Sequence, residues 1–381
     1  MYLSSLTLTD FRSYETAEVA FEPGVTTLVG LNGQGKTNLV EAVGYLANQT
    51  SHRVAKDLPL IRADCSQAML AARIRWLDRE LSLELEINAR GANRARVAGA
   101  PRRPREALGV LRTVLFAPED LALVKGDPSA RRKFCDELLV ARTPRLAGVL
   151  TELDRVVRQR SALLRSAAGA RRRGATVEML SESLTVWNEQ LATVGSELAA
   201  ARLRLLADLR QPVAQAYESV APGAGPAGLG YQASWWSEPG SPPADEEATR
   251  AALLAAMADR EREEMDRGIT LVGPQRDDLQ LTLGTLPAKG YASHGESWSI
   301  ALALRLASFE LLRSGLDSGG DPVLILDDVF AELDQTRRRR LAQLVLPAEQ
   351  VLVTAAVPAD VPAELRGRTM TVSRDSVSRI S

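Results

Sequence analysis

The densest chemical pattern in the chain is Gly30-Leu31-Asn32-Gly33-Gln34-Gly35-Lys36-Thr37, a glycine, four residues, a second glycine, a lysine and a hydroxyl. That spacing suits a phosphate cradle. Gly30 and Gly35 let the backbone turn its N–H groups inward at phosphate oxygens. Lys36 supplies positive charge for the β- and γ-phosphates, and the Thr37 hydroxyl suits Mg²⁺. Asn32, Gly33, Gln34 and Asn38 lie in or beside the same turn and join the candidate binding residues. GTPases, kinases and ATPases share such a loop, so it points to a nucleoside triphosphate and leaves the class open.

A second constellation narrows the class. Val323-Leu324-Ile325-Leu326-Asp327-Asp328 is an apolar run ending in paired carboxylates. Asp327 would hold Mg²⁺, directly or through water, and Asp328 would polarise the attacking water. Alone, such a run reads better as a buried strand closed by turn aspartates; with a phosphate loop upstream, the metal reading is preferred. Ser293-His294-Gly295-Glu296-Ser297 precedes the apolar helix Ile300 to Leu312, a further anion site at a helix start. Arg12, in Phe11-Arg12-Ser13-Tyr14, is either a nucleotide contact or a solvated turn arginine. His52 reads as a surface polar residue, with no metal-ligand partner at useful spacing.

The elements that must position these groups are legible in part. Val25 to Val29 is a strand, and Leu39, Val40, Val43 and Leu46 follow at helical spacing, so the loop joins strand to helix. Leu3 to Leu8 and Leu81 to Ile87 alternate as half-buried strands; a turn at Gly91 to Asn93 leads into Arg94 to Val97 as a hairpin. Val114 to Phe116 is a short strand, and Asp127-Pro128 opens a helix. From Leu146 to about Leu209 the period becomes helical. Val177, Leu180, Leu184, Trp187, Leu191, Val194 and Leu198 step by three and four, a coiled-coil seam. This predicts an antiparallel helical hairpin, ~30–50 Å long at 1.5 Å per residue, with a basic tip at Arg171 to Arg173 and an end marked by Pro212 and then by the Pro- and Gly-rich stretch Ala221 to Asp245. Ala248 to Arg267 is a charged helix, and Ile269 to Leu283 returns to strand spacing across Gly273-Pro274-Gln275-Arg276-Asp277-Asp278.

The 381 residues leave room for two domains. Lysine and arginine total 47 against 48 acids, so any attraction for nucleic acid must come from local patches. Arg94, Arg96, Arg102, Arg103 and Arg105 form one such patch and Arg131, Arg132 and Lys133 another; each is a phosphate-backbone contact or a solvated face. Two cysteines far apart, no signal segment and no uncharged run of membrane length leave a reduced cytoplasmic protein as the expectation.

The order phosphate loop, arm, serine loop, carboxylate strand and Glu332-Leu333-Asp334 resembles the SMC-like ABC-type ATPases of chromosome maintenance and, within them, the RecF family of DNA replication and repair. The matching text includes Phe11 to Tyr14, Gly30 to Thr37, Phe116 to Gly126 with Arg131-Arg132, Gly273 to Asp278, Ala288 to Tyr291 with the serine loop, Leu326 to Asp334 and Gln350 to Ala356. The resemblance implies an α/β ABC-type P-loop head with an inserted helical arm: residues 1–130 as the N-terminal head, 131–267 as arm and return linker, 268–381 as the C-terminal head. It implies an ATP-dependent homodimer with a slow, DNA-stimulated ATPase, binding double-stranded DNA and single/double-strand junctions. RecR and RecO are the implied partners, in loading recombinase at gaps. Ser293 and Gly295 would then be a signature loop that meets ATP on the other subunit. The chain departs from the wider ABC pattern in four places. Its signature reads Ser-His-Gly-Glu-Ser, Asp328 stands where most have glutamate, and Thr354 stands about where a switch histidine is expected. No Q-loop glutamine is identifiable; Glu119 or Asp120 lies in its place. The competing readings are a structural SMC-type protein, whose arm would need hundreds of residues, and a transporter ATPase subunit, which would need a membrane partner.

Overall fold

Alternating apolar residues in the first hundred positions close into one antiparallel sheet. Its strands are β1 (Tyr2–Phe11), β2 (Tyr14–Ala20), β4 (Gln67–Trp76), β5 (Arg79–Asn88), β6 (Arg94–Val97) and β7 (Ala100–Arg102), in the order β2-β1-β4-β5-β6-β7. Leu83, Leu85 and Ile87 are buried, while Glu84 and Glu86 stand across from Arg96 and Arg94 on the wetter face. The computed structural model describes residues 1–77, 79–172, 178–236, 243, 245–315, 320–373 and 376–379. It divides into two units, the first formed by Met1–Lys125, Gln211–Ala227 and Ala288–Ser381, the second by Gly126–Arg210 and Gly228–Pro287.

The first unit holds a second, mostly parallel sheet. β3 (Gly24–Val29), β8 (Thr113–Phe116), β12 (Val323–Asp327), β13 (Gln350–Ala355), β14 (Arg368–Ser373) and β15 (Ser376–Arg379) run in the order β15-β14-β3-β13-β12-β8, with β15 antiparallel at the edge. Every residue of β12 and β13 is buried, as expected for central parallel strands covered on both faces. α1 (Lys36–Asn48) shares one hydrophobic core with both sheets. Leu39, Val40, Ala42, Val43, Tyr45 and Leu46 are therefore all buried, although they go right round the helix. Burying each larger side chain is worth roughly 2 kcal/mol. α2 (Leu121–Lys125), α7 (Ala288–Tyr291) and α8 (His294–Arg313) pack together in this unit, and α9 (Gln335–Val345) follows β12.

The second unit contains α3 (Pro128–Arg142), α4 (Leu146–Arg172), most of α5 (Glu178–Val220), α6 (Glu246–Arg267) and a small sheet of β9 (Ala227–Gln232), β10 (Asp278–Leu283) and β11 (Leu286–Pro287). α4 and α5 are antiparallel. Arg145 Nη1 donates to Glu197 at 2.6 Å, Arg155 lies 5.6 Å from the Trp187 ring, and Arg160 Nε donates to Asn188 at 2.8 Å. The expected two-helix arm gains a third member, because the seam is completed by α6: Leu164, Leu184 and Met265 form one cluster. Arg160 pairs with Glu264, both fully buried, and Glu264 also accepts from the N–H of Leu271 at 2.6 Å. α4 has 27 residues, about 40 Å. The tip at 171–173 and Val177 fall outside the described residues and side chains.

The second unit gives up the chain at Arg210, two residues before Pro212, although α5 itself runs through Pro212 to Val220. Val213, Tyr217 and Val220 are buried at helical spacing, which outweighs the one backbone bond that proline removes. The break expected at 267/268 falls at Pro287/Ala288, because β10 pairs with β9 and keeps that segment in the second unit. The Gly273–Asp278 stretch is a knot of bonds rather than a continuous strand. Pro274 O accepts from Arg202 at 2.7 Å, Thr270 O from Arg276 at 2.8 Å, and Asp277 from Tyr231 at 2.6 Å and Trp235 at 3.0 Å. Asp278 takes a bidentate bond from Arg131, at 2.7 and 2.9 Å. Arg131 is 5% exposed and Arg132 donates to Asp277 O at 2.8 Å, so this pair is a structural clamp rather than a phosphate-facing patch. Arg96, Arg102, Arg103 and Arg105 of the other cluster are exposed.

Candidate nucleotide site

Strand register brings the predicted groups together. β3, β13 and β12 are parallel neighbours, so the carboxyl ends at Val29, Ala355 and Asp327 converge on one edge, where α/β sheets bind ligands. The phosphate loop leaves β3 there and enters α1. Two glycines in it are sterically required. A Cβ on Gly30 would lie 2.3 Å from Val372 O, and one on Gly35 would lie 2.6 Å from Tyr14 Oη at a φ of +100°. Lys36 is 4% exposed; its amino group donates to Gly30 O at 2.7 Å and Leu31 O at 3.3 Å, folded back along the loop that would cradle phosphate.

Asp327 is the centre of the polar contacts. Thr37 Oγ1 donates to its Oδ1 at 3.1 Å, which places the expected metal hydroxyl and the expected metal carboxylate side by side. Thr354 is directly paired with Asp327 in register, and its Oγ1 donates to the same Oδ1 at 2.7 Å. The Asp328 N–H donates to Thr354 Oγ1 at 2.9 Å, holding Asp328 in a left-handed turn at φ 50°. Aspartate tolerates that region better than most side chains. Burial, then the neighbouring Asp327 charge, push the Asp328 carboxyl above its ordinary pKa, which brings it closer to a useful base.

His52, read from the sequence as a surface residue, is turned into this centre. Its Nε2 lies 3.8 Å from Asp327 Oδ2 and is buried with no hydrogen-bond partner. The loop carrying it is anchored on Glu41 of α1, which is fully buried. Glu41 accepts from Ser51 Oγ at 2.5 Å, from Arg53 at 3.2 Å, and from Arg12 at 2.8 and 2.6 Å. Burial pushes the Glu41 carboxyl up, but the bonds from Arg12 and Ser51 and the charge of Arg53 outweigh it, and its pKa lies below the ordinary value. The Arg12 guanidinium, which also donates to Pro59 O at 3.0 Å, is thus placed on α1 beside the loop. Asn38 bridges Ser13 and Arg53 at 3.0 Å each. No motif marks Glu41 or His52; only the 275-residue return of Asp327 to β12 reveals the latter.

The serine loop is built as a helix cap. Ser293 is the N-cap of α8, which starts at His294. Ser293 Oγ accepts from Glu296 N at 3.3 Å, and Ser293 N donates to Glu296 Oε2 at 2.8 Å, a capping box. Gly295 has room for no Cβ without crowding Arg337, whose Nη1 would lie 3.2 Å away; Arg337 is held by Ser299 Oγ at 3.0 Å and by Asp334. The bonds of Ser293 stay within α8, and Ser293 itself is exposed. At the Q-loop position, Asp120 is buried and consumed by Arg305 at 2.6 Å and Ala117 N at 3.0 Å, while Glu119 is exposed.

These residues fit Mg²⁺-nucleotide: a lysine folded onto the loop's own carbonyls, a hydroxyl–carboxylate pair, and an orphaned buried nitrogen facing the same carboxylate. Among the described residues there is no cluster of three or more His, Cys, Asp or Glu that could hold a metal ion. Among them, too, no helix is long and apolar enough to cross a membrane.

Residues 2–366 match the RecF/RecN/SMC N terminal domain family. A DNA replication and repair protein RecF from Kineococcus radiotolerans is 57% identical over 377 residues, covering 96% of each chain. Another from Streptomyces avermitilis is 56% identical over 381 residues, covering 100% of each. Among solved structures, the recombination mediator protein RecF with ATP, from the RecFOR pathway, superposes with a TM-score of 0.88 at 26% identity, covering 100% of this chain and 98% of that one. An Smc head bound to the C-winged helix domain of ScpA superposes at 0.56 with 17% identity, covering 100% of this chain and 98% of that one, a likeness of fold alone.

Proposed function

The chain belongs to the RecF family of DNA replication and repair proteins, ABC-type ATPases with an SMC-like head, and from that premise we propose that it works as an ATP-gated homodimeric clamp on DNA. It binds duplex DNA and single/double-strand junctions, hydrolyses ATP slowly, and acts with RecR and RecO to load recombinase at gaps. The observation that carries this reading is the split between Lys36, Thr37, Asp327 and Asp328, gathered at one sheet edge, and an exposed helix cap at Ser293, whose bonds do not reach them. Two such elements on one chain suit a composite site closed by a second copy. Leu31 in the phosphate loop is 71% exposed and Tyr291 before the serine loop 67%, apolar surface of the kind an interface covers.

In this reading the loop N–H groups and Lys36 hold the phosphates, and Ser293 with the N–H groups of α8 faces the γ-phosphate of ATP bound to the partner. Thr37 and Asp327 would hold Mg²⁺, which neutralises phosphate charge. Asp328 accepts a proton from the attacking water. Once the γ-phosphate is gone, the charge bridging the two copies is lost and the dimer opens. The slow rate follows from aspartate at a position where a carboxylate one methylene longer reaches farther. DNA contact rests on exposed arginines such as Arg102, Arg103 and Arg105.

Sedimentation with and without ATP and a gapped duplex tests the clamp. Ser293→Arg should leave ATP affinity of the dilute monomer nearly intact and block ATP-dependent dimers. Lys36→Met should lose ATP affinity, and mixing the two variants should restore one competent site. A large loss of ATP affinity in monomeric Ser293→Arg would place the serine loop in the same subunit's site and end the trans reading; normal ATP affinity in Lys36→Met would end the assignment of the loop.

A further inference from the structure

We infer that His52 is a positioning residue of the Mg²⁺-nucleotide centre, receiving together with Asp327 Oδ2 the two O–H groups of one cation-bound water. This rests on the Mg²⁺-ATP reading of the site and adds a group to it. The division of labour on Asp327 is the starting point. Oδ1 is taken by two hydroxyls, Thr37 at 3.1 Å and Thr354 at 2.7 Å. Oδ2 faces His52 Nε2 at 3.8 Å. That separation is too long for a direct hydrogen bond and short enough for one water to touch both atoms. Nε2 is shielded from solvent and has no hydrogen-bond partner, so a donor admitted beside it on nucleotide binding would relieve an unsatisfied polar atom.

The chemistry of the pair selects the occupant. A neutral imidazole with its proton on Nδ1 presents a lone pair at Nε2, and Asp327 Oδ2 is an acceptor. Two acceptors side by side call for a donor with two hydrogens. Water bound to a cation has its lone pair committed to the metal and both O–H groups free to donate. The backbone is arranged to keep the imidazole there. Ser51 Oγ bonds Glu41 at 2.5 Å and accepts from the N–H groups of Arg53 at 2.9 Å and Val54 at 3.1 Å, so the residues on either side of His52 are fixed to α1. This also accounts for a gap in the ATPase pattern. The Q-loop position offers Asp120, which is consumed by Arg305 and a backbone N–H, and an exposed Glu119. His52 supplies a polar side chain to the metal side of the site from a different element.

The test reads binding, not turnover. A fluorescent ATP analogue is titrated onto dilute protein with EDTA, and then at increasing Mg²⁺. For His52→Ala the affinity in EDTA should stay within about twofold of wild type, while the Mg²⁺ concentration giving half of the Mg²⁺-dependent gain should rise about tenfold. His52→Gln, whose Oε1 overlies Nε2, should recover to within about threefold; His52→Asn, which reaches only the Nδ1 position, should behave like alanine. Melting in EDTA checks that each variant is folded, and the Gln–Asn contrast stands if alanine is not. An unchanged Mg²⁺ requirement in His52→Ala, an equal loss of affinity in EDTA, or equal recovery by Asn and Gln would overturn the inference. Absence of any Mg²⁺-dependent binding in the wild type would instead overturn the reading of the site on which it rests.

Discussion

Replacing Thr354 by valine removes one oxygen from the nucleotide centre and leaves the shape unchanged. That oxygen donates to Asp327 Oδ1 at 2.7 Å and accepts from the Asp328 N–H at 2.9 Å; Asp328 Oδ1, at 3.5 Å, is the more distant acceptor for its single proton. Thr354 is 1% exposed, so water does not replace what is lost. A bond to a carboxylate is worth about 1.5–3 kcal/mol and one from a backbone N–H about 1 kcal/mol. Asp327 keeps the Thr37 bond, which limits the damage, and the expected loss of unfolding free energy is about 2–4 kcal/mol. The same bond holds Asp328 in its left-handed turn, so hydrolysis should fall about 10- to 100-fold, equivalent to about 1.4–2.7 kcal/mol in the barrier. ATP affinity should change by less than about threefold, because the groups that hold the phosphates, Lys36 and the loop N–H groups, do not contact Thr354. Urea unfolding, single-turnover hydrolysis and nucleotide titration measure the three quantities, with Thr354→Ser retaining most of each. A valine variant within about 0.5 kcal/mol of wild type that hydrolyses ATP normally would refute the idea that this hydroxyl organises the two aspartates.

Asp328→Asn should give an ATP-bound dimer that decays more slowly than wild type, because the amide keeps the turn but cannot accept the water's proton; decay at the wild-type rate, followed by analytical sedimentation after nucleotide dilution, would show that Asp328 is not the base. Burial pushes the Asp277 carboxyl up to about 6. Below about pH 4 both folded and unfolded forms are protonated; between there and pH 6 only the folded form holds the proton, so its stabilising contribution fades as pH rises. The stability of wild type relative to Asp277→Asn should therefore fall by about 2–3 kcal/mol from pH 4 to pH 7, and a pH-independent difference in urea midpoints would count against it. DNA affinity should drop steeply with salt and vary little with sequence, and Arg102→Ala, Arg103→Ala and Arg105→Ala together should flatten the salt slope; Arg131→Ala should instead unfold its own unit, detectable by melting, since it breaks the bidentate pair with Asp278.

What the sequence made legible is local. The phosphate loop, the strand that ends in Asp327, the alternation of Leu83 to Ile87 and the helix after Asp127 each depend on neighbours within a turn or a strand, and all stand where their patterns placed them; Asp328 instead begins the turn that follows the strand. The misread positions depend on partners far away. Arg131 and Arg132 looked like a basic patch because their carboxylate and carbonyl partners, Asp278 and Asp277, lie about 145 residues on. The two-helix arm lacked its third helix because heptad spacing shows that a face is apolar, not what covers it. Pro212 carried a breaker signal that three buried apolar residues overrode. His52 had no metal-like spacing because the carboxylate it faces is not nearby in the chain but sits on a strand end brought back by the sheet.

The same contrast explains why so much of the chain surrounds so few reacting groups. Asp327 and Lys36 are buried at 2% and 4% exposure, and a charged side chain is costly there unless each polar atom is matched. Thr37, Thr354 and His52 surround Asp327, while Glu41 gathers Arg12, Ser51 and Arg53 one layer further out. Arg12 therefore acts on the site through Glu41 in this arrangement, by fixing the loop that bears His52. Losing that guanidinium would leave a fully buried carboxylate short of its main donors, and the loop would loosen before the phosphate cradle itself was touched. A loss of Mg²⁺-dependent binding in Arg12→Ala with little change in EDTA would follow from this order of dependence, whereas direct contact of Arg12 with nucleotide would weaken binding in both conditions alike.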